Sequence, residues 1–204
     1  MNFATYDILS KALPGAVVYL ALLLSGLIGK PKDISDVLIL VVVYLLGYFV
    51  DAVASLTEPL LHRMMGGVPS ERLLADGYKG RIAVAQRNTL CAHMKQEYPE
   101  LEPGTREFFG VIASVASTKG SPRLIEFLGA YVFARNILIA LIVAELIACL
   151  FHIEWYFFFL YAALIVLCYH RAKQRGYYWA REAVNVYIDC RSIGQPKKDT
   201  GLTT

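Results

Sequence analysis

The chain has 204 residues, of which 56% are hydrophobic and only 18% are charged, and its formal net charge is +3. Its mean hydropathy is +0.47. This balance, together with long apolar runs, excludes an ordinary soluble domain and predicts an all-α polytopic membrane protein. Because about 20 apolar residues in a helix span a bilayer's hydrocarbon core, we predict about four spans. They cover approximately residues 13–28, 37–56, 127–151 and 155–169.

The first predicted span is short and starts beside Pro14 and Gly15. Proline is tolerated in the first turn of a helix, so we expect the membrane helix to begin there, after an amphipathic lead-in over residues 3–12. A topology with three spans, in which Pro14 marks an interfacial segment, is the alternative. Residues 29–36 form a predicted turn, and Ser35 or Asp36 is the predicted N-cap of the next span.

The second span carries a polar stripe. Its members follow one another at alternating steps of four and three, which places them on one helical face. They are Tyr44, Tyr48, Asp51, Ser55, Glu58 and His62. A carboxylate near the middle of a bilayer is costly unless it meets protein or water. The stripe is therefore either a buried packing seam or the lining of a wet pore formed by several copies of this helix. We also predict a bend near Pro59 and a joint over residues 65–69.

Residues 63–122 form the predicted cytoplasmic helical segment, with helices over 81–96 and from Arg106 onward. A segment of this size is too small to bury a core of its own, so we expect it to pack on the ends of the spans or across subunits. We find no catalytic or phosphate-binding motif, and Cys91 with His93 lacks a second ligand pair. We therefore predict no enzymatic activity, no cofactor and no metal site.

The third predicted helix extends from Pro122 to about residue 152 and contains Arg135 and Glu145. Asp51 and Arg135 lie at matching depth on antiparallel spans, both about 6 to 8 Å from the midplane. Intramembrane charges almost always pair or face water, so we predict an ion pair between them, within one subunit or between neighbours. The pair is either structural or part of a conduction path. Glu145 has no evident partner and lies nearer the outer face.

The fourth span begins at Trp155, and its helix is predicted to continue to about Tyr187. Basic and aromatic residues alternate after the span: Arg171, Lys173, Arg175, Tyr177, Tyr178, Trp179 and Arg181. Such residues bind anionic lipid at a cytoplasmic membrane face. They are also the charge and stacking surfaces with which proteins bind nucleotides or oligonucleotides, so a ligand site is the alternative.

Basic residues flank the spans mostly on one side, which predicts that both termini and the central segment are cytoplasmic. We expect a multi-pass protein of the bacterial inner membrane with four parts. These are an N-terminal hairpin (1–62), the cytoplasmic segment (63–122), a C-terminal hairpin (123–170) and a basic tail (171–204).

Two short motifs precede or lie within the first spans: Tyr6-Asp7-Ile8-Leu9 through Pro14-Gly15, and Gly47-Tyr48-Phe49-Val50-Asp51. With the compact cytoplasmic part and basic tail, they resemble the small membrane effectors of bacterial antiphage defence. The membrane component of the Hailong system is the nearest type, and the membrane protein of the Kiwa system is similar. The resemblance implies a homo-oligomeric, channel-like effector that leaks ions. It also implies control by a nucleotide or oligonucleotide that a partner nucleotidyltransferase makes. A transport or scaffold subunit that requires a protein partner is the alternative function.

Overall fold

A computed structural model of the chain describes residues 3–29, 35–74, 82–151 and 154–192. The regular structure in these ranges is helical, which confirms the predicted all-α class. Three helical stretches are long and apolar enough to cross a membrane, Asp36–Leu74, Pro122–Leu150 and Trp155–Arg191, and a shorter apolar helix covers Ile8–Leu24. The second, third and fourth predicted spans lie in the three long stretches, and the first lies largely in the shorter helix.

In chain order the helices are α1 (Phe3–Leu24), α2 (Asp36–Met64), α3 (Pro69–Leu74), α4 (Val84–Glu97), α5 (Arg106–Lys119), α6 (Pro122–Leu150) and α7 (Trp155–Ser192). Much of the predicted turn at 29–36 and the tail beyond residue 192 lie outside the described residues.

Local sequence signals explain several helix ends. The Ser35 hydroxyl accepts a hydrogen bond from the Val37 N–H at 3.3 Å and caps α2. Thr105 caps α5 in the same way, through the Phe108 N–H at 3.3 Å. At the other end of α5, Gly120 adopts a left-handed φ of 65°, which suits glycine and stops the helix just before α6.

Two prolines lie inside helices. The prediction that the first helix begins at Pro14 is wrong, because α1 starts at Phe3 and continues through the proline. Pro14 has no N–H to donate to the Ser10 carbonyl, and it is tolerated there because a side chain of another helix, Asn136, donates to that carbonyl instead. Likewise α2 continues through Pro59 as far as Met64. The predicted joint follows it, at Gly66 and Gly67, whose φ values are 87° and 115°.

Contacts divide the chain into two units, which we call the first unit (Met1–Val68 with Ile125–Gly176) and the second unit (Pro69–Leu124 with Tyr177–Thr204). Within the first unit, α6 is the central helix. It contributes buried residues to three apolar clusters, which it forms with α1 and α2, with α1 and α7, and with α2 and α7. Half of its most apolar window is buried, against 22% and 11% for the other two long stretches.

The backbones of α1 and α2 touch at two glycines. A Cβ atom added at Gly15 would lie 1.8 Å from the Val43 carbonyl oxygen. One added at Gly47 would lie 1.9 Å from the Lys11 carbonyl oxygen. Only residues without a side chain permit this approach, which is how small residues bring membrane helices together. Gly15 and Gly47, which lie in the two motifs that resemble those of antiphage effectors, therefore have a packing role.

The second unit contains an apolar cluster of its own. Buried residues of α3, α4 and α5 meet the last turns of α7, where Tyr187 is fully buried. The cluster includes Leu73, Leu74, Leu90, Met94, Phe108, Phe109, Ile112, Ala116, Leu124, Ala180, Ala183, Val184 and Tyr187. Residues of the predicted basic tail (171–204) thus help to form the core around the central segment.

Candidate functional site

The C-terminal part of the α2 stripe, from Asp51 to His62, faces α6 of the same chain. Asp51, Ser55 and Glu58 each bind Arg135, and His62 binds Tyr131. Helical geometry explains this arrangement, because residues at alternating steps of four and three on α2 meet residues spaced by four on α6. The structure therefore brings four of the six stripe residues into a contact within one chain.

Arg135 lies at the centre of this contact and is buried, with 8% of its side chain exposed. Its Nη2 donates to Asp51 Oδ1 at 3.1 Å, and its Nη1 donates to Glu58 Oε2 at 3.1 Å. The predicted partners Asp51 and Arg135 are thus in direct contact, and Glu58 is a second carboxylate on the same guanidinium. The fork of N–H donors in arginine suits binding to two acceptors at once.

Asn136 connects α1 to this contact between α2 and α6. Its side chain is completely buried. Its Nδ2 donates to Asp51 Oδ1 at 2.9 Å and to the Ser10 carbonyl oxygen at 3.2 Å. In a regular helix the N–H four residues later would donate to the Ser10 carbonyl, but that position is Pro14, which has no N–H. The asparagine supplies this donor, so the proline in α1 and the asparagine in α6 are complementary.

At the far end of the contact, hydrogen-bond directions can be assigned from the groups present. The Tyr131 hydroxyl donates its one hydrogen to Glu58 Oε1 at 3.0 Å. The same hydroxyl oxygen lies 3.0 Å from His62 Nε2, so this nitrogen must carry the hydrogen and act as the donor. The His62 ring also lies close to Glu58 Oε1, at 3.7 Å. Protonating His62 would add a positive charge beside that carboxylate.

We name the connected set Asp51, Ser55, Glu58, His62, Tyr131, Arg135, Asn136 and the Ser10 carbonyl the polar network. Two carboxylates of the network face one guanidinium, so its formal charge is −1 when His62 is neutral and zero when His62 is protonated. The carboxylate side chains are each 31% exposed, far more than Arg135. An isolated buried charge is strongly disfavoured, so the network suits an added cation or a proton on its open side.

Tyr44 and Tyr48, the other two residues of the predicted stripe, have different surroundings. Their rings meet edge to face, with centroids 5.2 Å apart. The ammonium of Lys11 lies 4.5 Å from the centre of the Tyr48 ring, while 47% of Tyr48 is exposed. Tyr44 and Tyr48 therefore lie near α1 and the surface of the first unit.

The seven basic and aromatic residues predicted to bind a ligand divide between the two units. In the first, Arg171 binds Gln174 at 3.0 Å, and Arg175 lies over the Phe127 ring at 5.9 Å. Lys173 also belongs to the first unit.

The aromatic members of this set belong to the second unit and largely serve packing. Tyr177 is 3% exposed, and Trp179 packs edge-on against Phe109 at 5.4 Å. Arg181 lies over the Tyr178 ring at 5.7 Å. The buried ring of Tyr177 has almost no surface on which a base could stack.

A polar cavity of about 320 Å³ lies elsewhere in the second unit. Its lining consists of Gln86, Arg123, Glu182, Asn185, Ile188 and Asp189. The lining includes two carboxylates and one guanidinium and none of the seven predicted ligand residues. This charge does not favour a polyanionic ligand.

Three members of the network were absent from the predicted site: Tyr131, Asn136 and the Ser10 carbonyl. Sequence signals for them existed. Tyr131 precedes Arg135 by one helical turn, Asn136 is the polar neighbour of an intramembrane arginine, and a proline inside a helix leaves an acceptor four residues earlier.

Comparison with known proteins adds no relative. Neither a family model, nor a curated protein, nor a solved structure matches the chain. The resemblance to antiphage effectors therefore stays a hypothesis from the sequence motifs. What stands is a helical protein with three helices able to cross a membrane and a buried polar network among α1, α2 and α6.

Proposed function

We propose that the protein is a channel-like membrane effector that admits cations to the membrane interior along the polar network. The observation that carries this proposal is a pair of partly exposed carboxylates, Asp51 and Glu58, that bind one buried arginine. Acidic groups that line a path favour cations. Ionisable residues inside membrane helices are costly and commonly mark ion pathways.

The extent of the network supports the same proposal. Asp51 and His62 are eleven residues apart on α2, or about 16 Å along the helix axis. That is roughly half of a hydrocarbon core of about 30 Å. The network thus has the length of a polar route from the middle of the membrane to one edge. The carboxylates of this route contact α6 of the same chain, so the proposed path does not require a symmetry axis surrounded by copies of α2.

Ion flux from reconstituted protein tests the proposal. Purified protein in liposomes should dissipate an imposed gradient of potassium ions or of protons, and Glu58→Gln should reduce this flux towards background because it removes one acidic group facing the path. The matched control is Glu97→Gln, which makes the same chemical change at a carboxylate that pairs with Arg191 in the second unit. Equal loss in both variants, or wild-type flux no greater than that of empty liposomes, would contradict the proposal.

A transport or scaffold subunit that needs a protein partner is the second candidate. The observation that favours it is the dense bonding of Arg135 and Asn136 to α1 and α2, which is also what a packing seam requires. Such a protein would be folded but would carry no flux alone. Its Glu58→Gln variant would lose stability without changing any conductance.

The family resemblance adds regulation to the first proposal. We propose that a cytosolic nucleotide or oligonucleotide controls the effector during antiphage defence, as the resemblance implies. Exposed cations at Arg171 and Arg181 are consistent with an anionic ligand. Homo-oligomerisation belongs to this part of the proposal, and size-exclusion chromatography with light scattering of the detergent-solubilised protein tests it.

A further inference from the structure

Glu145 is an acidic residue of α6 that lies outside the polar network. Its Oε2 atom is buried and has no hydrogen-bond partner among the residues that the structure describes. Ten residues separate it from Arg135, which is about 15 Å along the axis of α6. Relative to the middle of the predicted span 127–151, Arg135 and Glu145 lie on opposite sides. Glu145 therefore occupies the half of the helix that the network does not reach.

The surroundings of Glu145 are apolar. Leu141 and Ala148, one turn before it and one turn after it, belong to an apolar cluster. Ala144 of α6, Ala21 of α1 and Tyr161 of α7 complete the buried core of that cluster. The phenol of Tyr161 in the buried core and the thiol of Cys168 at its edge are the ionisable groups that α7 adds there. The buried core contains no ionisable group from α1, and His152 lies outside the described residues. Among the described residues no cation forms an ion pair with Glu145, so an ionised carboxylate there would be uncompensated.

We propose that Glu145 is a proton-binding site within the membrane, and that the cation that the polar network admits is the proton. The second clause rests on the proposed function, and the first does not. A neutral carboxylic acid removes the cost of a bare charge in apolar surroundings. The network contains a hydrogen-bonded chain of groups that can pass a proton, from His62 through Tyr131 to Glu58. Glu145 provides such a group in the other half of the membrane.

A hydrophobic carbodiimide tests the protonation of Glu145 directly. Dicyclohexylcarbodiimide reacts with a protonated carboxyl: the acid O–H adds across one C=N bond, and the O-acylisourea rearranges to a stable N-acylurea with no atom lost. We expect mass spectrometry to find the adduct on Glu145 in membranes at neutral pH, and less of it at alkaline pH. Glu58 is the internal control, because it is ion-paired with Arg135 and should remain unmodified.

Infrared spectroscopy decides the case in which the reagent cannot reach the site. The C=O stretching band of a protonated carboxyl is separate from the bands of a carboxylate. Wild-type protein should show the acid band, Glu145→Gln should lack it, and Glu58→Gln should retain it. If wild-type and Glu145→Gln have the same spectrum in the acid region, Glu145 is ionised and the first clause is overturned. Size-exclusion profiles establish that each variant is folded.

Proton uptake into liposomes, driven by a potassium diffusion potential and read by an internal pH dye, tests the second clause. We expect uptake by wild-type protein, and its loss in Glu145→Gln. Potassium release without proton uptake would overturn the proton as the carried ion and leave the channel proposal intact. An acid band without any ion flux would overturn the channel proposal and leave Glu145 as a proton-binding site.

Discussion

Arg135 binds two carboxylates, so the charged residues of the network differ in how many partners each would lose on substitution. Arg135 compensates both Asp51 and Glu58, whereas each carboxylate shares the arginine with the other. Removing a partner of a buried charge costs more than the pair contributes, because the remaining charge is left buried without compensation. The three residues should therefore respond differently to neutralisation.

Replacing Arg135→Met should destabilise the first unit by about 3 to 5 kcal/mol, because two carboxylates then face each other without a cation. Asp51→Asn should cost less, about 1.5 to 3 kcal/mol, because Glu58 still binds the arginine. Thermal unfolding in detergent measures both. The triple variant Asp51→Asn, Glu58→Gln, Arg135→Met should regain much of the loss. If Arg135→Met is as mild as Asp51→Asn, the guanidinium is not the central group of the network.

The pairing of α1 with α2 depends on two backbone contacts rather than on side chains. At Gly15 and Gly47 an added Cβ would overlap a carbonyl oxygen of the facing helix. Backbone atoms cannot turn aside as a flexible side chain can, so the helices would have to separate. Separation would also displace Ser10 from Asn136 and so reach the network.

Gly47→Ala should therefore destabilise the protein by several kcal/mol, at least the ~1 to 3 kcal/mol typical of overpacking a core, and should expose the α1–α2 interface. Gly110→Ala is the matched control, because Gly110 lies in α5 and an added Cβ there meets nothing within 4 Å. That change should stabilise by about 0.5 to 1 kcal/mol, the usual gain of alanine over glycine in a helix. Equal melting temperatures for the two variants would contradict the close crossing of α1 and α2.

Much of the helical layout follows from the sequence, since apolar runs, caps and the breaks at Gly66 and Gly120 are local signals. The start of α1 does not follow from the sequence, because the helix continues through Pro14 only where Asn136 of α6 donates a hydrogen bond to the Ser10 carbonyl. The contact of Asp51 with Arg135 follows from matched depth alone. The residues of the stripe share one face, because the distance from Tyr44 to His62 corresponds to about five turns of a helix with 3.6 residues per turn. Periodicity does not give the change of neighbour along that face, from Lys11 of α1 at Tyr48 to Arg135 of α6 at Asp51 and Glu58.

Two surfaces of the protein differ in charge. The cations Arg175 and Arg181 lie on α7, while the cavity of the second unit is lined by more acidic than basic groups. We expect a short fluorescent single-stranded DNA oligonucleotide to bind the wild-type protein in low salt and to bind Arg175→Gln, Arg181→Gln several-fold more weakly, because each lost cation removes a phosphate contact. Asp189→Asn, which removes an acidic group, should not weaken binding. Fluorescence anisotropy measures both, and unchanged binding in the double variant would locate the anion site elsewhere.

Orientation in the bilayer decides from which side the polar network opens. His62 is at the end of the network nearest the central segment, and basic residues predict that this segment is cytoplasmic. In a variant without its four cysteines, Ser114→Cys should therefore resist a membrane-impermeant thiol reagent in intact bacterial cells, whereas Lys32→Cys should react. Ser114 is exposed on α5, so permeabilising the cells should make both sites reactive. The reverse pattern would place the segment outside and turn the network around. Cations would then enter the network from the external face, and a cytosolic ligand could not reach α7 beyond the membrane.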